Sequence, residues 1–162
     1  MGLPSTTVVA GVSENAVEEV QAVFSSHTFR VYTNKDVVGV ELGGALKNII
    51  AIGAGICDGR KLGANAKAAF VTRGLLEIAR LGVASGADPM TLAGLAGMGD
   101  MIATCYSELS RNRRVGEQLA GGLTLNQIRQ AMKNVAEGID TTAAALHLAE
   151  RLSVDMPITQ AT

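Results

Sequence analysis

Residues Val37 to Ile56 form a run of twenty residues that is apolar or glycine almost throughout, broken only by Glu41, Lys47 and Asn48. That is the length of a membrane-spanning helix, and no other feature limits the fold of this chain as strongly. Lys47 stands near the centre, where a lysine opposes insertion by roughly 2.5–3.5 kcal/mol. Five glycines occupy positions that a span would fill with leucine. The run therefore predicts a helix over roughly 36–56 that is buried by other helices of a soluble protein, with no membrane span. Apolar residues make up 48% of the 162 and charged residues 18%, a balance that suits a globular domain and not a disordered tail.

Before this helix the pattern is strand, helix, strand. Thr6–Ala10 is β-branched and closed by Gly11. Ser13 suits a helix cap, and Val17, Val20 and Phe24 follow as an apolar stripe at helical spacing. Phe29–Thr33 is a second short strand, and a crossover helix between two strands implies parallel pairing. Two strands do not complete a parallel sheet, so residues 1–34 read as the C-terminal remnant of a larger α/β domain. Residues 35–162 read as a mainly α domain, truncated at its C-terminus. Its expected parts are a second helix from Asn65 to Ser85 and a helix opened by Asp88-Pro89. A helix capped by Ser110 and ended by Gly121-Gly122 follows, then a Thr124/Gln127 capping box, a helix starting at Asp140 or Thr141, and a last start at Pro157.

Lys47 is the residue most in need of a reason. At i−4, i−3 and i+4 it has Gly43, Gly44 and Ala51, small residues on its own helical face that leave room for another molecule to approach its amine. It is either an acid–base group or a lysine paired with a carboxylate. A second conflict lies in Ser110-Arg111-Asn112-Arg113-Arg114, where three arginines crowd the positive end of a helix. An anion held by first-turn amides and guanidinium groups would resolve it, and so would carboxylates from another helix. Gly97-Met98-Gly99 reads as a tight turn delivering Asp100 to a helix start, with Thr104 one turn further on the same face. Glu137 alone reads as an ordinary exposed acid.

Several classes of function are set aside. A net charge of −1 and 3% aromatic residues argue against nucleic acid as a partner. His27 and His147 have no ligand partners at metal spacing, so no metal is expected. Two cysteines, Cys57 and Cys105, make no disulfide framework and suit buried thiols in the cytoplasm.

The stretch Gly43-Gly44-Ala45-Leu46-Lys47-Asn48-Ile49-Ile50-Ala51-Ile52-Gly53-Ala54-Gly55 resembles the catalytic helix of NAD(P)-dependent glycerol-3-phosphate dehydrogenases of bacterial type. The resemblance continues through Gly63-Ala64-Asn65-Ala66, Gly97-Met98-Gly99-Asp100, Thr104-Cys105, Ser110-Arg111-Asn112-Arg113 and Met156-Pro157-Ile158-Thr159, in family order. It implies a helical C-terminal domain of the 6-phosphogluconate-dehydrogenase-like kind, behind a short βαβ remnant of a Rossmann-type domain. It implies Lys47 as the proton-transferring residue and Asn48, Asp100, Thr104, Ser110, Arg111 and Asn112 as substrate-binding residues. Arg111, Val135 and Glu137 would touch the cofactor, NAD or NADP.

The reaction so implied is reversible reduction of dihydroxyacetone phosphate to sn-glycerol 3-phosphate, a step of glycerophospholipid biosynthesis. The glycine-rich dinucleotide fingerprint is not found in these 162 residues, so the chain alone is expected to be inactive. Two rival readings stay open: a hydroxy-acid dehydrogenase of the same superfamily, and a non-catalytic helical module for phosphate binding or homo-oligomer formation.

Overall fold

The computed structural model describes residues 2–131 and 136–162. It opens with strand β1 (Ser5–Ala10), helix α1 (Glu14–Phe24) and strand β2 (Phe29–Asn34). The strands pair in parallel with Ser5 opposite Phe29 and Ala10 opposite Asn34. Ser13 caps α1 by accepting from the Ala16 amide at 3.4 Å. The expected stripe on α1 divides: Val17 is buried, whereas Val20 and Phe24 are exposed, Phe24 at 61%. Among the described residues no further strand extends the two-stranded sheet toward them.

Helix α2 (Val37–Gly59) is the axis of the rest. Asp36 starts it, accepting from the Gly39 amide and from the amide of Asp88, each at 2.8 Å. Burial pushes the Asp36 carboxyl up, but these two hydrogen bonds and one from Thr91 outweigh it and hold the group below its ordinary 3.8. Around α2 stand α3 (Gly63–Ala84), α5 (Asp100–Tyr106), α6 (Arg111–Ala120) and α8 (Glu137–Arg151). Between them come the short helices α4 (Pro89–Ala93) and α7 (Leu125–Ala131), with α9 (Pro157–Ala161) last. Ile49, Ile50, Leu81, Leu92, Met101 and Met156 fill the main core. A smaller cluster of Ile52, Val115 and Ile128 holds α6 and α7 against α2. Among the described residues α2 is the one helix long and apolar enough to cross a membrane, and it is largely enclosed by its neighbours.

Three expectations about local structure are corrected. The second helix begins at Gly63, two residues before Asn65. Gly97-Met98-Gly99 is no tight turn but part of a π-helical turn, Leu95–Gly99, running straight into α5. The helix expected from Asp140 or Thr141 begins at Glu137, because the Gly138 amide finds its acceptor in Asn112 rather than in a local cap. The Thr124/Gln127 capping box forms in both directions, at 2.8 and 3.3 Å.

At the far end, Glu77 on α3 is 1% exposed. Its carboxylate accepts from the amides of Ile158 and Thr159 and from the Thr159 hydroxyl, so a residue of α3 closes the open first turn of α9.

Candidate active site

Lys47 lies in the third turn of α2, where α5 and α6 converge on it. A Cβ on Gly43 would stand 2.7 Å from the Ala96 carbonyl oxygen. This glycine is therefore spent on bringing the π-helical turn against α2, and Asp100 follows directly from that turn. The Lys47 ammonium donates to Asp100 Oδ2 in a close ion pair, with the lysine side chain 21% exposed. Thr104 Oγ1 donates to the Asp100 carbonyl at 2.7 Å and lies 3.5 Å from Asp100 Oδ1. Lys47 thus has the carboxylate partner of one reading, and it also keeps an open side. Nothing lies within 4 Å of a Cβ built on Gly44, and that gap opens onto a cleft of about 490 Å³.

The same cleft is lined by the start of α6. Ser110 caps it, its hydroxyl accepting from the Arg113 amide at 3.3 Å. The amides of Arg111 and Asn112 belong to the first turn, which has no intrahelical acceptors. Arg111, half-exposed on the rim, lies 3.7 Å from Glu137. Asn112 Nδ2 donates to Asn48 Oδ1 and Asn112 Oδ1 accepts from the Gly138 amide, both at 2.9 Å. The two asparagines thus join α2, α6 and α8 beneath the cleft. Lys47, Asn48, Thr104, Ser110, Arg111, Asn112 and Glu137 all border it, and Asp100 reaches Lys47 from its edge. Val135 lies outside the described residues.

The other two arginines are already satisfied by protein groups. Arg113 Nε donates to Asp58 at 2.6 Å and its Nη2 meets Glu117 at 2.9 Å. Arg114 donates to the Glu108 carbonyl at 3.1 Å. Carboxylates therefore offset part of the charge conflict at this helix start, and Arg111 is the arginine left facing the cleft.

Asp58 and Lys67 escaped the sequence reading. Lys67 is only 6% exposed; it donates to Asp58 at 2.6 Å and its ammonium lies 4.3 Å from the centre of the Tyr106 ring. Burial pushes the Asp58 carboxyl up, but the hydrogen bonds and charges of Lys67 and Arg113 win and hold it below its ordinary 3.8. One signal was available: Asp58 sits in the last turn of α2, the end where the helix dipole disfavours an acid. Cys105 is buried and its thiol pushed up to about 12 by desolvation, and burial also raises Cys57, so both favour the neutral thiol.

A sequence profile described as the NAD-dependent glycerol-3-phosphate dehydrogenase C-terminus matches residues 36–162. The glycerol-3-phosphate dehydrogenase [NAD(P)+] of Bacillus cytotoxicus is 58% identical over 158 residues, covering 97% of this chain and 46% of that protein. That of Dehalococcoides mccartyi is 54% identical over 159 residues, 98% of this chain and 44% of that protein. The chain thus spans less than half the length of these curated relatives. Among solved structures, the Coxiella burnetii glycerol-3-phosphate dehydrogenase superposes with a TM-score of 0.94 at 42% identity, covering 98% of this chain and 49% of that one. The Saccharomyces cerevisiae enzyme follows at 0.86 and 28% identity, covering 99% of this chain and 50% of that one. The helical architecture around Lys47 is therefore that of a known fold, and the chain belongs to the NAD-dependent glycerol-3-phosphate dehydrogenases, matching their C-terminal part.

Proposed function

We propose that residues 35–162 form the substrate-binding and catalytic domain of a cytoplasmic glycerol-3-phosphate dehydrogenase, and that residues 1–34 are the last part of its dinucleotide-binding domain. The substrate pair is dihydroxyacetone phosphate and sn-glycerol 3-phosphate. The observation that carries this reading is that Lys47 and the start of α6 line one and the same cleft. A phosphate seated on the first-turn amides of α6 and on Arg111 would place the rest of a three-carbon substrate toward the gap over Gly44, within reach of Lys47.

In the reducing direction the Lys47 ammonium donates a proton to the alkoxide that develops on the carbonyl oxygen, and in oxidation the neutral amine takes that proton back. Asp100 Oδ2 holds Nζ in place for both directions, and Thr104 steadies Asp100. Asn48 and Asn112 keep the two walls of the cleft at a fixed separation. NAD or NADP, when bound, exchanges the hydride with the substrate carbon. Among the described residues, Arg111 and Glu137 border the cleft and fit an edge contact with it.

The test joins this chain to the dinucleotide-binding half of the Bacillus cytotoxicus relative and follows oxidation of NADH and NADPH by dihydroxyacetone phosphate. The joined protein should turn over and the 162-residue chain alone should not. Lys47→Ala in the joined protein should lower kcat by about a hundredfold or more, the scale of a lost general acid. A near-normal kcat would overturn the assignment of Lys47.

A further inference from the structure

We infer that Asp58 is a positioning residue for the anion end of the cleft, fixing α6 along α2 so that Ser110 and Arg111 face Lys47. The inference rests on the reading of the α6 start as the phosphate end.

Helices α2 and α6 run side by side in the same direction, Asn48 beside Asn112 at one level and Gly59 beside Ala120 at another. At Gly55 and Gly116 the two helices meet backbone to backbone, with Ile52 and Val115 packed beside the contact. A Cβ on Gly55 would collide with the Arg113 carbonyl, and one on Gly116 with the Ile52 carbonyl. Helices elsewhere are kept from sliding and turning by side-chain ridges seated in grooves. A glycine-to-glycine crossing brings two helices close but interlocks little.

Two polar links bracket that smooth crossing. On the cleft side, Asn112 donates to Asn48 at 2.9 Å, a bond between neutral groups. On the far side, Asp58 Oδ2 accepts from Arg113 Nε and from Lys67 Nζ, both at 2.6 Å. The second link is charge-assisted, and the Arg113 side chain is 15% exposed, so solvent screens it weakly. Each partner stands where its own helix dipole opposes it, the acid at the end of α2 and the arginine at the start of α6, and pairing offsets both conflicts. Arg113 is two residues from Arg111 on a helix that turns about 100° per residue. A slip or rotation of α6 at Asp58 would swing the Arg111 side chain off the cleft wall.

The sign of the effect separates positioning from charge. Neutralising Asp58 makes the region less negative and frees Arg113, so Coulomb attraction alone would tighten the binding of an anion. Loss of register would weaken it. The experiment titrates inorganic phosphate into the 162-residue chain and follows the amides of residues 110–113 by NMR, at a temperature where each variant is folded. Asp58→Asn should raise the apparent Kd threefold to tenfold. Arg113→Lys should raise it similarly with the net charge unchanged, and Asp58→Glu should stay within twofold of the starting chain.

A merely structural role would lower Tm and leave the Kd of the folded protein in place, and that result overturns the inference. Asp58→Asn binding as tightly or more tightly overturns it too. If Asp58→Asn does not fold, Arg113→Lys decides by the same measure. Amides 110–113 that never respond in the unsubstituted chain would overturn the phosphate reading and this inference together, whereas a responsive chain with an indifferent Asp58→Asn overturns the positioning role alone.

Discussion

The crossing of α2 and α6 and the β1–α1–β2 unit use the same kinds of residue to opposite ends. At the crossing, glycines let backbones touch and their large apolar neighbours Ile52 and Val115 are covered, 3% and 0% exposed. In the front unit, Val23 and Phe24 are 71% and 61% exposed on a helix whose other face covers only part of a two-stranded sheet. One region has enclosed its apolar surface inside this chain, and the other presents it outward. Apolar character alone therefore does not say where a core forms. What decides is whether a second surface is there to meet it.

The largest effect expected from this contrast is at Gly55. Gly55→Val drives a branched side chain into the Arg113 backbone, and the crossing should lose about 3 kcal/mol, the upper range for overpacking. Thermal or denaturant unfolding measures it; a loss below about 1 kcal/mol would mean that α6 stands further off than the structure shows.

A smaller effect, confined to the helical body, comes from acid. The Asp58 carboxyl titrates below its ordinary 3.8 in the folded chain, so the unfolded chain takes up the proton first as pH falls. The stabilisation is complete above that ordinary value and disappears as pH drops through the folded one, a window opening at about pH 4 and running downward. Between pH 5 and pH 3 the unsubstituted chain should lose more Tm, by a few degrees, than Asp58→Asn does. Parallel acid curves for the two would remove Asp58 from the account of stability.

The smallest effect is expected at the front. Phe24→Ser should change stability by less than about 0.5 kcal/mol, as for an exposed site without special contacts. It should also reduce self-association measured by light scattering, since exposed apolar surface beside an open strand edge invites another copy. A loss of more than about 1 kcal/mol would show that Phe24 is covered.

Where sequence reading succeeded, the cause and the effect lie within one helical turn. Ser13, Asp88-Pro89, Ser110 and the Thr124/Gln127 pair each act on amides two or three residues away, and spacing alone exposes them. The apolar run around Lys47 was legible because a single lysine there conflicts with everything beside it. Asp58 and Lys67 were harder, because Asp58 meets partners 9 and 55 residues away and nothing local marks Lys67 as buried. The π-helical turn was missed for a related reason. Its Gly97-Met98-Gly99 looks like a loop until Gly43 on α2 and the Leu92 backbone are seen pressed against it. Val20 and Phe24 misled in the opposite direction: their spacing is right for a buried face, but no partner surface covers them among the described residues.

The carboxylate of Glu77 has a consequence for the order in which this protein can complete itself. It is satisfied by Ile158 and Thr159, made 81 and 82 residues later. During synthesis α3 leaves the ribosome long before those residues exist, and until they arrive the charge of Glu77 must stay hydrated. The core beside it therefore cannot close around α3 as soon as that helix has formed. Bringing the two parts together also carries the entropy cost of a long loop. The first turn of α9 is thus the stopper that lets α3 dry out, and closure of the core around Glu77 waits for it.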